Sequence, residues 1–293
     1  MAHRRGLPGP CKLEGVPELP EVETIARGLA ARVTGDVIES IWLGEKPEPL
    51  KSSAVEIAAT LTNSRILGVR RMGKHIVFDL QSSAVDPGEN HGKPSAQWIV
   101  HLGMTGRLQV CAGGADIQKH THAIARLASG RELRFVDPRR FGRLRVTPSG
   151  DFATVGAEPL EAERESFIEL FRGRKTPIKS ALLNQKLLRG VGNIYADESL
   201  FRAGIRPRRR AAGIGGERLG KLLDSIQEVL REAIALGGSS VSDYVDADGE
   251  EGFFQLQHRV YGRAGEPCLV CKRPIKRIVI GGRSSHYCPR CQK

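Results

Sequence analysis

The chain has 293 residues, 40% hydrophobic and 27% charged, with 45 Lys and Arg against 33 Asp and Glu for a net charge of +12. That length accommodates two domains and a small appendage, and no apolar run reaches the ~18 residues a bilayer span requires. The positive excess points to a polyanionic partner, nucleic acid first.

Residues 1–15 have neither an apolar core nor helical periodicity, so they read as an extension, not a signal peptide. Val22, Ile25, Ala26 and Leu29 recur at helical spacing and predict a helix over 17–32, with Pro17 and Pro20 tolerated because they open it. From Val37 to Thr147 short alternating segments bounded by turn residues predict strands over 38–43, 66–71, 76–80, 98–102, 107–110, 122–127, 132–136 and 142–146. These suit a β-sandwich or barrel. Residues 82–96 are polar and rich in Pro and Gly, an exposed loop. His120 and His122 fall two apart on one strand face; with no third ligand in sight, a structural role is expected.

A linker follows over 148–160, and then helical periodicity over 166–172, 178–183, 194–203 and 217–236, stopped by Gly237-Gly238. Residues 239–257 are irregular. The C-terminal part carries Cys268-x2-Cys271-x16-Cys288-x2-Cys291, two knuckles able to grip one zinc ion. Without a secretory signal, and with Cys11 and Cys111 outside any such framework, a disulfide reading is disfavoured. Between Phe253 and Lys293 stand nine Lys and Arg and one acid, Glu266, so two-thirds of the charge excess sits on the zinc module. A second basic run, Arg206-Pro207-Arg208-Arg209-Arg210, reads as a further phosphate-tracking surface. The fold class expected is α+β and multidomain. It comprises an extension over 1–16, a β-sandwich domain with its N-terminal helix over 17–147, a helical domain over 161–258 and a zinc hairpin over 259–293.

Several separated motifs sit in this frame: Pro17-Glu18-Leu19-Pro20-Glu21-Val22-Glu23-Thr24, Arg70-Arg71-Met72-Gly73-Lys74, His101-Leu102-Gly103-Met104-Thr105-Gly106, Asp137-Pro138-Arg139-Arg140-Phe141-Gly142 and Gly190-Val191-Gly192-Asn193-Ile194-Tyr195-Ala196-Asp197-Glu198. Together with the zinc hairpin they resemble the formamidopyrimidine-DNA glycosylase family, in the right order, from Val16 to Lys293. Each motif alone has a blander explanation: acids at a helix start, a solvated charge run, a glycine-rich connector. A general zinc DNA-binding protein would explain the cysteines and the charge but not the first motif. The related endonuclease VIII branch, which acts on oxidised pyrimidines, usually opens PEGPE and lacks the Asp-Pro-Arg-Arg-Phe-Gly run.

The resemblance implies a base-excision repair enzyme that removes oxidised purines from duplex DNA and then cuts the strand by β,δ-elimination. It makes Pro17 the amine nucleophile, Glu18 the acid that protonates the sugar ring oxygen, and Lys74 and Arg283 phosphate-binding participants in the chemistry. Glu21 supports the site and counts, with Met104, Arg139, Phe141, Lys179, Asn193 and Tyr244, among the residues that handle DNA. Met104 and Phe141 fill the gap left by an everted nucleotide, Arg139 reads the orphaned base, Lys179 and Asn193 contact phosphate, and Tyr244 lies on the loop over the lesion. Cys268, Cys271, Cys288 and Cys291 hold one structural zinc. The implied partner is damaged double-stranded DNA, bound by a monomer in a bacterial cytoplasm at the nucleoid.

One feature contradicts the chemistry. Within the chain Pro17 N is a tertiary amide without a free lone pair, so it attacks nothing, and a protein acylated there would bind lesions without cutting. Val16 offers a resolution, because a GUG valine codon also serves as a bacterial start codon. Synthesis from there, with the initiator Met removed, leaves Pro17 as the first residue.

Overall fold

The computed structural model describes residues 16–82, 93–239 and 252–293. Helix α1 (Leu19–Val33) starts two residues later than the periodicity predicts, because Glu18 and Glu21 form a capping box in which Glu18 N donates to Glu21 Oε2 at 2.9 Å. Its buried stripe, Val22, Ile25, Ala26, Leu29 and Val33, packs into the core of the sheet domain, whereas Leu19 belongs to the core of the helical domain.

All eight expected strands are present: β1 (Val37–Leu43), β2 (Ser64–Met72), β3 (His75–Ser82), β4 (Ala96–His101), β5 (Arg107–Ala112), β6 (Thr121–Leu127), β7 (Arg131–Val136) and β8 (Arg143–Pro148). They run antiparallel in the order β5-β7-β6-β1-β2-β3-β4-β8. β1 touches β2 only through Val37 and Ile38, then shifts register at a bulge and follows β6 to Leu43. A strand that changes partner in this way turns the corner between two layers. The inner faces of both halves supply one core, with Phe78 stacked on Trp98 at 4.8 Å and Leu133 and Phe135 opposite.

Helix α2 (Ala54–Leu61) was not expected. Only Ile57 and Leu61 face the core, too few for a periodic signal, although Ser53 and Glu56 form a complete capping box. The two histidines do not share a face. His120 sits in a left-handed turn (φ 69°) before β6 begins, while buried His122 places Nε2 2.9 Å from the Asp137 carbonyl oxygen.

The helical domain holds α3 (Arg164–Phe171), α4 (Ile178–Leu182), α5 (Asn193–Arg202) and α6 (Gly216–Ala235). Every residue of α5 from Ile194 to Phe201 is buried, so α5 is the spine against which the other parts pack. The chain then forms the hairpin β9 (Lys276–Ile280) and β10 (Arg283–Tyr287), turned by Gly281 and Gly282 at positive φ. Sheet and helical domains are locked by a chain of charges: Arg71 donates from Nε to Glu23 at 2.7 Å and from Nη2 to Glu158 at 2.9 Å, and Arg189 Nε reaches the same Glu158 at 3.1 Å.

Candidate active site and nucleic-acid interface

Glu18 is 4% exposed, and its carboxylate lies on the N-terminus of α5, where Oε1 accepts from Ile194 N at 3.0 Å. Gly192, the residue before α5, makes room: a Cβ there would overlap the Glu18 carboxyl carbon. Burial pushes the Glu18 pKa up to about 7, against the Lys74 charge, with Glu21 adding to the rise and the α5 N–H groups opposing it. Glu18 is therefore poised to hold or release a proton near neutrality. Glu21, beneath it, accepts from the Tyr195 hydroxyl, from Ser239 N at 2.8 Å and from Glu18 N. With 2% exposure and these partners it cannot meet DNA; its place among the DNA-handling residues is corrected to that of a buried brace.

A cavity of about 520 Å³ opens in front of Glu18, lined also by Val16, Lys74, Met104, Asn193, Tyr261 and Arg283. Pro17 thus lies between two residues that face the cavity. Lys74 reaches it from the turn before β3, where Gly73 takes φ 61°, and the other arginines of that basic run point away, Arg70 to Asp79 and Arg71 to the domain interface. Burial lowers the Lys74 pKa, and the Glu18 carboxylate counteracts it. Arg283, exposed at the start of β10, comes from the opposite domain.

The connections β4–β5 and β7–β8 lie side by side because His101 pairs with Arg143 and Arg107 with Val136. Buried Asp137 stitches them together: one oxygen accepts from Thr105 Oγ1 and Arg139 N, the other from Gly142 N at 2.7 Å. Gly103 (φ 66°) lets the strands close, since a Cβ would meet the backbone of Phe141 and Gly142. The result presents half-buried Met104 beside Phe141, 47% exposed, with the Arg139 guanidinium 4.9 Å from the Phe141 ring.

Lys179 is not a surface cation. It is 0% exposed, paired with Asp197 Oδ1 at 2.6 Å, and it donates to the Ser284 carbonyl oxygen at 2.6 Å. The direct phosphate contact expected for it gives way to a structural tie between α4, α5 and β10. Asn193 opens α5 at the cavity and donates to Ser284 Oγ at 3.3 Å. Two acids that the sequence reading did not single out, adjacent in the buried helix, complete the docking. Asp197 accepts from His286 N, and Glu198 accepts from the backbone N–H of Arg259, Val260 and Tyr261. A pair of acids inside an otherwise buried helical stretch was the available signal. In the run 206–210, Arg206 bonds the Gln292 carbonyl and Arg209 that of Gly213, so those two guanidiniums serve the fold. Tyr244 lies outside the described residues.

The Sγ atoms of Cys268, Cys271, Cys288 and Cys291 all lie within 4.8 Å of one another, with pairs at 3.3 and 3.9 Å. A tetrahedral zinc with Zn–S of ~2.3 Å needs sulfurs ~3.8 Å apart, so the four thiols fit one ion. The Arg273 N–H draws the Cys271 thiol down, while burial pushes those of Cys288 and Cys291 up, so the spacing of the sulfurs is what speaks for the ion. Buried Phe201, Val260 and Ile275 pack round the knuckles, so the ion would order the hairpin and take no part in bond breaking.

A sheet domain and a helical domain meeting at a carboxyl-floored cleft, with a zinc hairpin fastened to the helix behind it, define a DNA glycosylase of the helix–two-turn–helix class. The chain matches the family models described as Formamidopyrimidine-DNA glycosylase N-terminal domain over residues 16–144, Formamidopyrimidine-DNA glycosylase H2TH domain over 155–245 and Zinc finger found in FPG and IleRS over 265–293. It is 47% identical over 288 residues to the formamidopyrimidine-DNA glycosylase of Solibacter usitatus, covering 95% of this chain and 100% of that one. Among solved structures, a Lactococcus lactis Fpg mutant in complex with DNA containing Fapy-dG superposes with a TM-score of 0.85 at 33% identity, covering 94% of this chain and 100% of the other. Thermus thermophilus MutM (Fpg) gives 0.81 at 40% identity, covering 94% and 98%. The chain belongs to the formamidopyrimidine-DNA glycosylase family. Among the described residues, no helix is long and apolar enough to cross a membrane.

Proposed function

We propose that the chain excises oxidised purines, 8-oxoguanine and formamidopyrimidines, from duplex DNA and then cleaves the strand as an AP lyase. The observation that carries this is the Glu18 carboxyl, raised to about 7 and fixed on the α5 N-terminus, in the wall of a cavity that also holds Lys74 and Arg283 beside Pro17. The lesion nucleotide leaves the stack, Met104 and Phe141 fill its place, and Arg139 reads the base left behind. The Pro17 amine attacks C1′ and the C1′–N bond to the base breaks. Glu18 gives its proton to the ring oxygen as the sugar opens, which leaves an iminium on Pro17. Loss of a C2′ proton then expels the 3′ phosphate, and a second elimination expels the 5′ phosphate. Lys74, Asn193 and Arg283 hold the flanking phosphates, Tyr244 acts from the loop over the lesion, and the zinc is structural.

This chemistry requires Pro17 to be a free amine. The first family match begins at residue 16, in keeping with synthesis from Val16. The working form is a monomer of the bacterial cytoplasm, acting on nucleoid DNA. Borohydride reduction during turnover on 8-oxoguanine duplex tests the proposal. Protein beginning at Pro17 should give a covalent adduct mapping to that residue, and protein retaining residues 1–16 should not. An equal adduct from both forms, mapped elsewhere, overturns Pro17 as the nucleophile.

A further inference from the structure

On the outer face of β3, β4 and β8 lies a second cavity, of about 650 Å³, separate from the cleft. Strand register builds it: His75, His101 and Arg143 align in one row, and Val77, Ile99 and Arg145 in the next. Lys51 joins the rim from the segment before α2, fixed by its own N–H to the Leu144 carbonyl at 2.8 Å. Lys51, Arg143 and Arg145 are exposed, and none is paired with a carboxylate among the described residues. The acid in the lining, Glu56, is turned to the backbone N–H of Ser53 in the α2 capping box. The floor consists of neutral rings, with His75 and His101 centroids 4.9 Å apart and Phe152 edge-on to His75 at 5.2 Å. Burial holds the His101 pKa down at about 4 and lowers that of His75, so both imidazoles offer hydrogen bonds without charge.

The position of this basic pocket says what it meets. His101 precedes Met104 by three residues and Arg145 follows Phe141 by four, so at ~3.6 Å per residue their Cα atoms lie within about 11 and 14 Å of those of the residues that enter the duplex. One turn of DNA is ~34 Å long, so a duplex seated on Met104 and Phe141 passes the pocket well within its first turn. We infer that this outer-face pocket is a second backbone site, which takes phosphate of the duplex arm flanking the lesion through Lys51, Arg143 and Arg145. The inference rests on the reading of the chain as an enzyme of duplex DNA.

The test is equilibrium binding by the full, zinc-loaded chain at several salt concentrations, which needs no free Pro17 amine. Two duplexes carry the same stable abasic analogue: a short one, held together by an interstrand cross-link at one end, stops about a quarter of a turn (~8 Å) from the lesion on each side, and a long one extends about one and a half turns. The triple variant Lys51→Ser, Arg143→Ser, Arg145→Ser should bind the long duplex on the order of tenfold more weakly, with the salt slope flatter by roughly 2 to 3. It should bind the short duplex as the wild type does. Arg143→Lys with Arg145→Lys should keep the wild-type slope, because the contact is one of charge. An unchanged slope on the long duplex, or an equal loss on both lengths, overturns the inference. Wild-type protein that binds neither duplex overturns the DNA reading itself, an outcome distinguishable because it needs no variant.

Discussion

At the scale of single residues, the site turns on how one carboxyl is housed. Glu18 has a folded pKa near 7 chiefly because it is buried, so between its ordinary value and 7 the folded protein holds a proton that the unfolded chain has lost. Its contribution to stability is complete below the ordinary carboxylate range and is lost as pH rises through about 7. The acid role proposed for it follows the same curve: strand cleavage should fall on the alkaline side with a midpoint near 7. Glu18→Gln should remove that limb and lower turnover by about 10²- to 10⁴-fold while abasic-duplex binding persists. A pH–rate profile of both proteins decides the matter. Gly192 belongs to the same argument. Its φ is ordinary, so the glycine is required by the approach of Glu18 and not by backbone strain. Gly192→Ala should displace the carboxyl by about an ångström and cost roughly 10²-fold in turnover with zinc content unchanged.

At the scale of elements, the zinc hairpin is held at both ends of its task. Zinc on the four cysteines would order the knuckles, while Asp197, Lys179 and Glu198 clamp the hairpin and the segment before it onto α5. Removing the metal with a chelator should free Arg283 from its place facing Glu18 and abolish DNA binding while far-UV helix content is largely kept. Lys179→Met leaves the Asp197 carboxylate buried without its cation, a change that costs about 3–5 kcal/mol. Denaturant unfolding should show that loss. Activity at low temperature should fall through weaker DNA binding, because the hairpin that carries Arg283 loses an anchor.

At the scale of the whole molecule, the two domains are fastened by Glu158, which serves Arg71 and Arg189 together, and Arg71 and Glu158 are nearly buried. Glu158→Gln should therefore destabilise the chain far more than loss of an exposed pair such as Arg164–Asp224, and a thermal melt comparing the two variants reads this out. The sequence disclosed the elements that repeat: strand alternation set all eight strands, and the cysteine spacing set the metal site. What it concealed was tertiary. The two core contacts of α2 make no periodicity, the left-handed turn at His120 depends on the loop before β6, and a lysine in a DNA-binding motif looks exposed until Asp197 is placed beside it. The glycosylase motifs named the participants; only the fold could say that Glu21 and Lys179 support the site from behind.

The border between the domains also deserves redrawing at α1. Leu19 N bonds to the Gly190 carbonyl, the Leu19 side chain packs in the helical core, and Glu18 rests on α5, so the first turn of α1 is mechanically part of the domain that follows. The rest of α1 travels with the sheet. If the two halves rock against each other as DNA enters, Pro17, Glu18 and Arg283 move as one jaw. Lys74, Met104 and Phe141 make up the other. On the proposed chemistry, closure leaves Pro17 and Glu18 in register and changes only the gap into which the sugar is drawn.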